Sequence, residues 1–168
     1  MKTLSILRHA KAERPEDYAT DLARPLTDRG RKDAMRVAAV LAGLDPAVDA
    51  IVSSPSTRTR QTVAAVQEIL EGDIPVLWDE RIYEAGVREL LDALMTIPNQ
   101  AEHVLLVGHN PGMAELIAAL CSGDSGRLGI DMPTAGLAHV TLDIPGWSKI
   151  TRRSGMLQWL IRPKLLRG

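Results

Sequence analysis

Apolar positions in this chain fall into two patterns, short unbroken runs and helical stripes. The way these patterns alternate predicts a sheet flanked by helices. Thr3-Leu4-Ser5-Ile6-Leu7 reads as a first strand. Thr27 then stands as the N-cap of a helix in which Ala34, Val37, Ala38 and Leu41 recur at helical spacing, and Gly43 is a natural stop. Ala50-Ile51-Val52 is a short strand, followed by a helix from Thr57 to Leu70 that should bury Val63, Val66 and Leu70. Pro75-Val76-Leu77 predicts a short edge strand. Leu90, Leu94 and Ile97 define a third helix, ended by Pro98. His103-Val104-Leu105-Leu106-Val107 is continuously apolar, as expected of a strand covered on both faces. Pro111 suits the first position of a fourth helix, where its missing N–H would have lacked a partner anyway. Met113, Leu116, Ile117 and Leu120 follow on one face. The last segments, Gly136 to Asp143 and Met156 to Ile161, read as strands with no helix between them, paired antiparallel across Pro145-Gly146. This order predicts a three-layer α/β/α sandwich around a mixed, mostly parallel sheet.

Composition narrows the reading. At 168 residues the chain is expected to be one domain, 1–168, with room for a real core. With no Phe, that core must be built from Leu, Val, Ile, Ala and Met. The single cysteine, Cys121, leaves no internal disulfide and no multi-cysteine zinc pattern, which fits a reducing compartment. Met1-Lys2 leads straight into the first strand, so no signal peptide is expected. No stretch approaches the ~18 apolar residues of a membrane span. The expected setting is therefore cytoplasmic, away from membranes. A net charge of −1 gives no reason to expect nucleic acid. From Pro145 onward there are six Lys or Arg and no acid, and a solvated basic tail is the plain reading of that run.

Three of the strands end in segments that can carry chemistry: Arg8-His9, Ser54 to Arg58, and Gly108-His109-Asn110. Parallel strands present such ends along one sheet edge, where open α/β sheets bind ligands. Arginine offers a planar fork of donors that matches phosphate oxygens. Histidine can act as a nucleophile and hold a covalent intermediate. His109 stands between a buried strand and a helix start, a ready anion site. Arg58 falls in the first turn of a helix, against the dipole, which invites a phosphate as the reason. Arg60, two residues on, should point elsewhere and be a surface residue. His103 at a strand start reads as a surface histidine, and His139 as a strand-face residue. Met35, Met95 and Met113 read as core filler, and Cys121 as buried and inert. Gly123-Asp124-Ser125-Gly126 is a turn without a P-loop lysine.

The motifs Arg8-His9, Ser54-Pro55-x-x-Arg58-x-x-Gln61-Thr62 and Gly108-His109 resemble those of the histidine phosphatase, or phosphoglycerate-mutase-like, superfamily. Arg24-Pro25-Leu26-Thr27-x-x-Gly30 and Ile82-Tyr83-Glu84-Ala85 are similar to its small bacterial branch, the SixA-like phosphohistidine phosphatases. The resemblance implies a phosphoglycerate-mutase-like fold with no cofactor and no metal. It implies His9 as the phosphoryl-accepting nucleophile, with Arg8, Arg58 and His109 completing the phosphate pocket. Glu84 falls at the position of the general acid in many members, and Arg24 and Asn110 are candidates for substrate contacts. Ala10 stands where the commonest signature has glycine, as it does in the small branch. The chain lacks the long helical lids of sugar-phosphate members, so an open site is expected. Three substrate readings follow: a phosphohistidine protein, a small phosphorylated metabolite, or a non-catalytic phospho-ligand module. The expected assembly is a monomer or weak dimer.

Overall fold

The computed structural model describes all 168 residues. Six strands, β1 (Lys2–Arg8), β2 (Ala50–Ser53), β3 (Val76–Trp78), β4 (His103–Gly108), β5 (Leu137–Leu142) and β6 (Gly155–Ile161), form one sheet in the order β3-β2-β4-β1-β5-β6. The first four run parallel, and β5 lies antiparallel to both β1 and β6. The helices are α1 (Asp28–Ala42), α2 (Thr57–Gln67), α3 (Val87–Leu94) and α4 (Gly112–Ser122).

Strand alternation sorts the core onto two faces. Leu4 and Ile6 of β1, Val104 and Leu106 of β4, and Ala138 and Val140 of β5 pack under α3 and α4, with Trp147 closing the edge. Leu7, Leu105 and Val107 point the other way and meet Val37, Ala38 and Leu41 of α1 and Val63 and Val66 of α2. This is the three-layer sandwich that the sequence predicts. The Thr27 Oγ1 accepts the N–H of Gly30 at 2.9 Å and caps α1 as expected. No helix is long and apolar enough to cross a membrane.

Some local expectations need correction. α2 ends at Gln67, and Leu70 is buried from a turn beyond it. Pro111 is the N-cap of α4 rather than its first residue. β5 and β6 do pair antiparallel, but their connection includes the turn Trp147–Lys149, whose indole donates to the Ala101 carbonyl at 2.8 Å. His103 is wholly buried, Cys121 is partly exposed, and Met95 is exposed at the end of α3. The basic C-terminus is not a solvated tail. Pro163–Leu166 forms a turn against α1, and Arg167 donates to the Asp33 carboxylate at 2.7 Å, a carboxylate that is itself buried.

Candidate active site

Register decides what meets at the sheet edge. β4 lies between β2 and β1, with Arg8 paired to Gly108 and Ser53 to Val107. The residues after each strand therefore emerge side by side. The His9 N–H donates to the Gly108 carbonyl at 2.9 Å, extending the ladder one residue beyond β1. The rings of His9 and His109 then lie 5.2 Å apart, centroid to centroid. Arg58, in the first turn of α2, reaches the same spot and donates to the His109 Nδ1 at 3.2 Å. His9, Arg58 and His109 are 8%, 5% and 6% exposed, so the cluster is nearly dry yet lies at a strand-end rim.

Neighbouring groups fix both histidine tautomers. The His9 Nδ1 lies 2.8 Å from the Ala10 carbonyl, which can only accept, so Nδ1 carries the proton and Nε2 keeps a free lone pair. The Nδ1 of His109 accepts from Arg58, so its Nε2–H donates to the Ser54 Oγ at 2.9 Å. The Arg8 guanidinium donates to the Met132 carbonyl at 3.0 Å. The Asn110 amide donates to the same carbonyl at 2.8 Å, and its oxygen accepts the Ala114 N–H at 3.4 Å. Asn110 is thus held in place through both ends of its amide, each of which keeps further hydrogen-bonding capacity. Gln61 and Thr62 explain the rest of the α2 motif. Gln61 accepts the Leu26 N–H at 2.7 Å, and Thr62 accepts the Ala10 N–H at 3.1 Å, so one helix anchors both loops around the nucleophile.

Sequence reasoning missed two participants. Asp21, in the turn Asp21–Ala23, presents its carboxylate to the Arg58 guanidinium at 2.9 Å, to Arg24 at 2.8 Å and to the Tyr83 hydroxyl. The Tyr83 hydroxyl, with Arg24 and Arg58 behind it, holds Asp21 far below the usual carboxylate range despite some burial. Tyr83 also stands edge-on to His109, with centroids 5.3 Å apart. Arg24 completes the rim by donating to the Glu13 carbonyl at 2.9 Å. Glu84 follows Tyr83 at φ 51°, and its carboxylate is exposed without a hydrogen bond to the cluster. Arg60 is a surface residue, as expected, with its guanidinium stacked 4.3 Å over the Trp78 ring.

Burial sets the charge state. It pushes the His9 imidazole down to about 4, against the Ala10 carbonyl and with help from Arg58, Arg8 and Arg24. Burial, then His9 and Arg58, push His109 to about 3. His103 and His139 are also lowered, chiefly by burial; His103 donates to the Pro46 carbonyl and shares the Ser5 hydroxyl with His139. The four histidines, which are all the chain has, are therefore neutral in the folded protein at pH 7. Unfolding raises each to the ordinary ~6.5, so below that pH the unfolded chain binds more protons. Stability is full above about pH 6.5 and falls as pH drops, by about 1.4 kcal/mol per pH unit for each of His9 and His109, with His103 and His139 acting in the same direction. Denaturant unfolding at pH 7, 6 and 5 measures this. Equal stability at all three would mean that these imidazoles titrate normally.

The chain is similar to several known proteins. The model of the histidine phosphatase superfamily (branch 1) matches residues 4–90. The uncharacterized protein Rv1276c of Mycobacterium tuberculosis is 33% identical over 138 residues, 79% of this chain and 84% of that protein. The phosphohistidine phosphatase SixA of Escherichia coli is 29% identical over 160 residues, 94% of this chain and 92% of that one. The structure of the protein histidine phosphatase SixA complexed with tungstate superposes with a TM-score of 0.83 at 27% identity, covering 98% of this chain and 99% of that one.

Proposed function

This chain belongs to the histidine phosphatase superfamily and is a phosphatase, and we propose that it hydrolyses phosphohistidine protein through a covalent phosphohistidine on His9, without a metal. The observation that carries the reading is the free Nε2 lone pair of a neutral His9 beside the Arg58 and Arg8 guanidiniums.

In the first step Nε2 attacks phosphorus in line. The bond to the leaving group breaks, and the leaving atom takes a proton. In the second step water attacks phosphorus, the N–P bond breaks, and its electron pair returns to Nε2. Phosphoryl transfer asks mainly for positioning and for neutralised equatorial oxygens, which two arginines can supply. The Nε–H groups of Arg8 and Arg58 are buried without partners, and an unmade bond of this kind costs about 1–3 kcal/mol. An anion with several acceptor oxygens can take up such donors. As the arginines turn to the phosphoryl group, His109 loses its Arg58 donor and becomes free to take a proton. The SixA relative solved with tungstate, a tetrahedral oxyanion, supports an oxyanion pocket in this fold. SixA of Escherichia coli carries the name phosphohistidine phosphatase, and its similarity runs over 94% of this chain and 92% of that protein, which supports the protein substrate.

Glu84, at the mouth beside Tyr83, is the candidate to protonate the leaving atom, the imidazole nitrogen of a phosphohistidine or the oxygen of a phosphate ester. The experiment is turnover in EDTA across aryl and alkyl phosphates of graded leaving-group pKa and a phosphohistidine protein. Sustained turnover with the phosphohistidine protein preferred is expected, and binding without turnover would overturn the reading. Glu84→Gln should slow alkyl phosphates strongly and p-nitrophenyl phosphate little. A uniform loss would remove Glu84 from proton transfer.

A further inference from the structure

Beside the site lies a groove of about 520 Å³ whose walls carry Lys11, Arg29, Arg162, Lys164 and Arg167 against a single acid, Asp33. We infer that this groove docks an acidic segment of the protein substrate while its phosphohistidine is held at His9. The inference rests on the phosphatase reading for the second half of that statement only.

Three stretches of sequence converge to build the groove. Lys11 is two residues past His9, so their Cα atoms are within about 7 Å. Pro133-Thr134 also line it, and they directly precede Ala135, whose N–H donates to the His9 carbonyl at 3.0 Å. The groove therefore opens directly beside the nucleophile's own loop. The third stretch is the C-terminus. Arg167 clamps the tail to α1 through the Asp33 carboxylate at 2.7 Å, and this clamp brings Arg162 and Lys164 opposite Arg29. Asp33 also takes Arg36 at 2.9 Å, so the one acid is already over-matched. Arg162 pairs with the Asp131 carboxylate at 2.6 Å in an exposed, screened contact. Lys11 and Lys164 have no carboxylate partner, and Arg29 has only a long 3.9 Å approach to Asp33. A chain with net charge −1 has concentrated unpaired cations beside its reactive edge.

The lining identifies the occupant. Apart from Pro133 and Pro163 the walls are charged or polar, with no aliphatic or aromatic side chain. Small-molecule pockets are mostly apolar with a few polar anchors. An open, cationic groove instead suits the polar rim of a protein interface, where complementary charge steers encounter and selects the partner. The two phosphate-pocket arginines and this groove would then read two features of one substrate.

The test uses synthetic phosphohistidine peptides of equal length, one with Asp and Glu flanks and one with Ser and Gln in their place. At low salt the acidic peptide should be turned over with about tenfold higher kcat/KM, and molar salt should erase the difference. Arg29→Glu with Lys164→Glu should abolish or invert the preference while p-nitrophenyl phosphate turnover stays within about twofold. Arg29→Gln with Lys164→Gln should halve the preference or more, and provides a milder pair if the reversal harms folding. The unphosphorylated acidic peptide, followed by fluorescence anisotropy, should bind wild type and His9→Ala alike. That arm separates failure of docking from failure of the phosphatase reading. Equal rates on both peptides would overturn the inference, as would an equal loss on p-nitrophenyl phosphate. So would tripolyphosphate binding that responds to the groove variants while the acidic peptide does not bind.

Discussion

His9→Ala is expected to abolish phosphate release from every substrate, a loss of at least about 10⁴-fold, while leaving the fold in place. The two halves of this expectation have separate grounds. In the resting cluster the His9 Nε2 is the one imidazole nitrogen that is neither protonated nor accepting a bond, which makes it the nucleophile whose loss should stop the chemistry. The fold should survive because His9 belongs to none of the apolar clusters, and the bond that ties it into the sheet, to the Gly108 carbonyl, is made by its backbone. Rapid quench of wild type with labelled substrate should trap phosphate on His9 that is stable in alkali and labile in acid, and the variant should trap none. Thermal unfolding of the variant checks the second half. Wild-type rates in a folded His9→Ala protein would remove His9 from the chemistry.

The His9–His109 pair was readable because it follows from backbone rules. Apolar runs ending in Arg8-His9 and Gly108-His109 imply buried parallel strands, and parallel neighbours present their ends together. The Arg8–Gly108 register then places the two rings in contact across a hundred residues of sequence. Asp21 and Tyr83 obey no such rule. Asp21 sits in an irregular turn, two-fifths exposed, and resembles any surface acid until Arg58 and Arg24 are seen around it. Beside it, the motif around residues 82–85 drew attention to Glu84, whereas the chain turns through φ 51° there and delivers the Tyr83 side chain to the cluster. The C-terminal cations misled for a similar reason. Their anchor, Asp33, is 134 residues away from Arg167, and no local pattern announces a pairing at that separation. Sequence therefore revealed the residues on the sheet frame and left out those that loops and long-range ion pairs bring to it.

Arg58→Ala should lower kcat/KM by roughly 30- to 1000-fold, or ~2–4 kcal/mol of transition-state stabilisation, and Arg60→Ala by less than about threefold. The contrast tests the placement of the pocket on one face of α2. Arg58 is buried and donates to both the Asp21 carboxylate and the His109 Nδ1, with its own Nε–H unpartnered. Arg60 lies about 200° further round the helix, where it covers Trp78 and donates to the Pro55 carbonyl. Loss of Arg58 leaves Asp21 bonded to Arg24 and Tyr83, so the rim should persist and the deficit should be one of chemistry. A charge effect should accompany it. Arg58 is among the groups that hold down both His9 and His109, so without it both imidazoles accept protons more readily. The acid limb of the pH dependence of kcat/KM, which reports loss of neutral His9, should then move to higher pH. Arg58→Lys restores the charge without the planar fork and should recover the position of that limb but only part of the rate. A greater loss in Arg60→Ala than in Arg58→Ala would place the phosphate pocket on the wrong face of α2. An unshifted acid limb in Arg58→Ala would show that burial alone keeps His9 neutral.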